Sequence, residues 1–141
     1  MKTIDKKNVT SNITEFLMYA DFDKEVFNIS GYLVNEHYDF YIEFDSVREM
    51  CNSLENIFDY YKYPMATHND RVFSKKNAVV NNDLQFEFKE YDEKLFKDKK
   101  PIFEFRVEFR YNSTWQGTIN FLEEGRRIRF NSELNFVNIL L

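Results

Sequence analysis

The chain has 141 residues, 43% of them hydrophobic and 18% aromatic, and its 24 acidic against 19 basic side chains leave a formal charge of −5. That length accommodates one domain, which hides roughly two-thirds of its unfolded surface. The apolar content excludes a disordered chain, the lack of a ~20-residue apolar run excludes a membrane helix, and the acidic balance excludes nonspecific nucleic-acid binding.

Residues 1–10 read as a polar arm ahead of a single domain over 11–141. Lys2, Asp5, Lys6 and Lys7 are followed by no apolar segment, so a secretory signal is not expected and the cytoplasm is the expected compartment. Asn12-x-x-Glu15 with Ile13, Phe16, Leu17 and Ala20 predicts a short capped amphipathic helix. Val26 to Val34 and Tyr38 to Phe44 are rich in β-branched and aromatic residues and flank Asn35-Glu36-His37, which predicts a hairpin. In its second strand Tyr38, Phe40, Ile42 and Phe44 alternate with Asp39, Tyr41 and Glu43, one face apolar and one wet. Ser46-x-x-Glu49 is a capping box, and Val47, Met50, Cys51, Leu54, Ile57, Phe58 and Tyr61 recur at helical spacing, so a helix follows that ends before Pro64.

A polar connection over 64–82 leads to a strand from Leu84 to Phe88, and the charge-dense run from Glu90 to Lys100 reads as an exposed loop. From Ile102 to Tyr111, Phe103, Phe105, Val107, Phe109 and Tyr111 alternate with Glu104, Arg106, Glu108 and Arg110. The pattern predicts a half-buried strand with both arginines on its polar face. Asn112-Ser113 turns the chain into a partner strand, with Trp115, Gly117, Ile119 and Phe121 toward the core and Thr114, Gln116, Thr118 and Asn120 toward water. Glu123-Glu124-Gly125 turns again into Arg126 to Phe130, and Asn131-Ser132-Glu133 starts a closing helix with Leu134, Val137 and Leu141 as its stripe. The expected fold is α+β, a mainly antiparallel sheet of about five to six strands with two to three helices on one face. Phe44-Asp45-Ser46 and Phe130-Asn131-Ser132 each lead a strand into a helix, which points to an internal duplication.

His37 and His68 stand far apart and Cys51 lies in an apolar stripe, so no metal or cofactor is expected, and the thiol has a packing role in a reducing compartment. The three glycines build no phosphate loop, and no Ser or Cys has an evident His partner, so an enzyme is not expected. Charge is uneven: residues 1–70 hold 13 acids and 6 bases, residues 71–141 hold 11 acids and 13 bases. Glu36, Asp39, Glu43, Asp45, Glu49, Glu55 and Asp59 face only Arg48 in the run from 36 to 59, an acidic surface suited to a protein partner with a basic one. Glu49, Glu55, Asp59 and Tyr63 are the expected partner contacts. A small anionic, nucleotide-like ligand is the alternative, held by His68 and Arg71 of the loop after Pro64 and by Arg106, Arg110, Trp115 and Gln116 of the strand pair. Arg127 and Arg129 add two more guanidinium groups, against which Glu104 and Glu108 compete as ion-pair partners, and a core position for Trp115 competes with a stacking platform. Exposed strand edges are compatible with a homodimer.

Arg110-Tyr-Asn-Ser-Thr-Trp-Gln-Gly-Thr-Ile-Asn-Phe, followed by Arg129-Phe-Asn-Ser-Glu-Leu, resembles a pattern in small uncharacterised proteins of Firmicutes and their mobile elements. Its parts are an Arg-containing strand, a Trp-Gln-Gly turn exit and a Phe-x-Ser-x-Leu helix start, with Tyr63-Pro64 and Arg71-x-Phe73 as a second piece. The resemblance implies no catalytic residue and no ligand. Small acidic proteins of such elements are sometimes inhibitors of defence systems, so the expected function is a non-enzymatic interaction protein, an inhibitor of a host defence protein or complex.

Overall fold

Period-two alternation of large apolar with charged residues dictates extended chain, and the computed structural model, which describes residues 4–67 and 88–141, is organised around one sheet. Two 3-10 turns, Lys6–Asn8 and Ser11–Thr14, precede β1 (Glu15–Asp23), β2 (Asn28–Asn35), β3 (Phe40–Phe44) and α1 (Val47–Tyr61). Then come β4 (Ala66–Thr67), β5 (Lys89–Glu90), α2 (Glu93–Phe96), β6 (Phe103–Tyr111), β7 (Gln116–Phe121), β8 (Arg126–Phe130) and α3 (Glu133–Leu140). Seven strands pair antiparallel in the order β5-β3-β2-β1-β6-β7-β8, and β4 pairs in parallel with Arg110 and Tyr111 of β6. The fold is α+β with a mainly antiparallel sheet, slightly wider than expected. No helix among the described residues is long and apolar enough to cross a membrane.

The segment expected to form the first helix is instead a 3-10 turn feeding β1. Eight residues of helix propensity are marginal alone, whereas β1 lies between β2 and β6 and forms ladders with both. Phe16 and Met18 then alternate inward. Among the described residues ahead of it, Val9 is buried and the Ile4 carbonyl accepts a hydrogen bond from the Tyr61 hydroxyl (3.0 Å), so this polar segment is tied to the domain at two points. Asn35, fully buried in the β2–β3 turn, donates to the Ile13 carbonyl (3.2 Å) and accepts from the backbone N–H of His37 (2.9 Å).

α1 begins at Ser46, whose hydroxyl accepts from the Glu49 N–H, and buries Met50, Cys51, Leu54, Ile57, Phe58 and Tyr61 against the sheet. α3 is capped by Ser132 in the same way, but its buried residues are Phe136 and Leu140, while Leu134 and Leu141 are exposed. The expected stripe is corrected because Phe136 fits among Phe105, Trp115 and Phe130. The run read as an exposed loop contains α2, whose Phe96 is buried on the opposite sheet face among Tyr19, Tyr32, Tyr41 and Tyr91, at ring separations of 4.9–5.4 Å.

The two halves repeat one unit, three antiparallel strands followed by a Ser-capped helix, with β1 and β6 paired at the centre. Gly31 and Gly117, Phe44 and Phe130, and Ser46 and Ser132 are each 86 residues apart. Gly31 pairs with Phe44 as Gly117 pairs with Phe130.

Candidate functional site

Two polar constellations form where the sheet departs from simple alternation. The first arises at an irregularity between Val107 and Phe109 in the β6–β7 ladder. A bulge shifts side-chain parity by one, so Arg110 turns into the core at 4% exposure while Phe109 and Tyr111 turn outward and stack with ring centroids 5.1 Å apart. This corrects the placement of Phe109 in the core and of Arg110 on the polar face beside Arg106. Arg110 donates to Glu55 Oε1 (3.0 Å), Asp59 Oδ1 (2.6 Å), the Pro64 carbonyl (2.6 Å) and the Phe58 carbonyl (3.3 Å). Trp115, 1% exposed and packed edge-on against Phe58 and Phe136, donates its indole N–H to the other oxygen of Glu55. Beside this hub the Cys51 thiol lies near the Glu133 carboxyl. Burial, then the Glu133 and Glu55 carboxylates, push its pKa up to about 12, so at neutral pH it is a poor nucleophile. Burial, then the nearby Glu55 charge, raise the Glu133 carboxyl above its ordinary value.

The hub is a structural joint between α1, the chain around Pro64 and β6. Arg110 and Trp115 are buried in this joint, while Glu55 and Asp59 pair with Arg110 and keep 43% and 38% of their side chains exposed. Gln116 accepts from the Tyr111 N–H of its own turn (2.8 Å) and donates to the Asn131 carbonyl just after β8 (3.3 Å). Glu49 is exposed and Tyr63 half-buried, while His68 and Arg71 lie outside the described residues.

The second constellation lies on the outer face of the sheet, a cleft of about 600 Å³. Register builds it as two rows across the strands, Glu15, Arg106, Thr118 and Arg129 in one and Leu17, Glu104, Asn120 and Arg127 in the other. Glu36 and His37 of the β2–β3 turn close one end. Arg106 pairs with Glu15 (3.1 Å), which also contacts His37, and Arg129 meets Glu108 at 3.5 Å. Arg127 donates to Asn120 Oδ1 (2.9 Å), and the same amide donates to Glu104 (3.1 Å). Three of the four expected guanidinium groups thus share this face, with the carboxylates of Glu104 and Glu108 among them. Sequence reasoning missed Glu15 and His37, because Glu15 sits where a helix is expected and His37 in a turn, and it counted Glu36 only in the acidic run. Strand parity counted back from Phe16 was the available signal for Glu15. Phosphate, carboxylate and charged peptide groups are the chemistry such a surface can hold.

No protein-family model matches the chain, and no curated protein or solved structure matches it.

Proposed function

We propose that the protein is a non-enzymatic interaction protein that docks a partner with a basic surface and acts as its inhibitor in the cytoplasm. The carrying observation is that Glu36, Asp39, Glu43, Asp45 and Glu49 are all exposed along the β2–β3 turn, β3 and the start of α1. Glu43 is paired with Lys89 at 3.7 Å, a loose contact between two exposed side chains. Glu49, Glu55 and Asp59 continue this surface along α1, the last two while also paired with Arg110. Such a rim raises the on-rate and orients a basic partner, with an ionic-strength dependence set by a Debye length of about 8 Å at physiological salt.

The test is a pull-down from host lysate with salt titration, using wild type and the Glu43→Lys/Glu49→Lys variant. A partner retained at low salt, released as salt rises and lost from the variant is the expected result. No stable partner, or binding indifferent to salt and charge reversal, overturns the reading. Sequestration of a small anion is the weaker alternative, since of the arginines expected to hold it Arg106 is already paired with Glu15 and Arg110 with Glu55 and Asp59.

A further inference from the structure

We propose that the outer face of the second half docks an acidic peptide segment of a protein partner, whose carboxylate side chain is held by Arg127 and Arg129. This rests on the reading of the protein as an interaction protein and adds a contact beyond the acidic rim. The internal repeat carries the argument. On the first half, Tyr19, Tyr32 and Tyr41 take up Phe96, so a segment of the chain itself covers that face through one anchor ring. The 86-residue repeat puts Thr118 where Tyr32 stands and Arg127 where Tyr41 stands, and the ladder register puts Arg106 in the place of Tyr19. Phenol rings have thus been exchanged for guanidinium and hydroxyl groups, and the covering segment that matches them carries a carboxylate where α2 carries a ring.

The charges select the anchor point. Arg106 is answered by Glu15 at 3.1 Å, whereas Arg129 has Glu108 only at 3.5 Å and Arg127 reaches Glu104 only through the neutral amide of Asn120, which lies between them. At the other end of the cleft Glu15 and Glu36 supply the opposite sign. From β2 to β8 is four strand spacings, about 19 Å, which an extended segment of about six residues spans. A segment with Asp or Glu at the β8 end and Lys or Arg toward β1 therefore meets both ends, and a small anion meets one.

The probe is a displayed library of random 12-residue peptides selected on the full chain, with enriched sequences resynthesised and titrated. Arg127 and Arg129 are exposed on the edge strand, so the Arg127→Glu/Arg129→Glu variant keeps the fold, which circular dichroism verifies. Expected are enriched peptides carrying Asp or Glu, binding at least tenfold weaker to that variant, and amide shift changes at Arg106, Thr118, Asn120, Arg127 and Arg129. Glu43→Lys/Glu49→Lys, the variant that tests the acidic rim, leaves peptide affinity within twofold, so the two readings fail separately. No enriched peptide, enrichment without carboxylates, equal binding to the arginine variant, or full displacement by inorganic phosphate at about 1 mM overturns the proposal.

Discussion

A guanidinium at 4% exposure among two carboxylates and two backbone carbonyls ties α1, the Pro64 turn and β6 to one point. Removing one partner of such a cluster leaves the others unpaired, and since Glu55 and Asp59 keep some access to water the cost falls at the lower end for buried pairs, about 3 kcal/mol for Arg110→Ala. Urea denaturation checks it against Arg106→Ala, an exposed pair with an expected cost within about 0.5 kcal/mol. Equal costs for the two would show that Arg110 is no joint. The role of Arg110 was illegible because the alternation from Phe103 to Tyr111 is unbroken in sequence and a bulge leaves no compositional mark. The sign of the Glu133 shift gives a second test. Its folded pKa is raised, so its contribution is fully present below the ordinary carboxylate value of about 4.3 and is lost as pH rises through the folded value. Glu133→Gln removes that dependence. The melting temperature of the variant relative to wild type should therefore become more favourable from pH 4 to pH 7, and a flat or opposite trend counts against the shift.

Elements were legible in proportion to how local their causes are. α1 was readable because a capping box and seven apolar residues at helical spacing agree, and its observed cap and buried face follow both. β1 was not, because Phe16 and Leu17 satisfy a helical stripe as well as a strand, and its neighbours β2 and β6 decide between them. The ladders also impose a requirement that only geometry reveals. A Cβ added to Gly117 would lie 1.9 Å from the Arg106 carbonyl oxygen and 2.8 Å from the Phe130 ring, and one added to Gly31 would lie 2.0 Å from the Tyr19 carbonyl oxygen. Backbone cannot yield that far without breaking the ladder, so Gly31→Ala and Gly117→Ala should each cost about 3 kcal/mol or more. Gly125, at φ +64° in open space, is the control, with Gly125→Ala costing about 1 kcal/mol through backbone conformation alone. Thermal melts of the three variants decide it, and equal costs would remove the steric account.

At the scale of the molecule, the repeat glimpsed in the two Phe-x-Ser helix starts extends to matched glycines and a symmetric strand order, but the halves have diverged where they meet solvent. One outer face is covered by Phe96 and the other is lined with arginine and glutamate, and α1 has 15 residues against 8 in α3. Sequence could not show this, since the cover comes from a segment that reads as a charged loop. The question of whether such halves fold as one is decided at the centre. β1 pairs with β6 over Glu15–Met18, Phe16 stacks on Phe105 at 5.7 Å, and Phe16 also meets Phe40 while Phe105 meets Phe136, so each half completes its core with rings of the other. A half exposed by separation would present these rings to water, at about 1.5–3 kcal/mol for each large side chain uncovered. Unfolding should therefore be one cooperative transition, with the Trp115 fluorescence of the second half coinciding with the far-ultraviolet circular dichroism of the whole chain in urea. A fluorescence midpoint displaced from the dichroism midpoint would show that the halves unfold separately and that the central ring stack does not couple them.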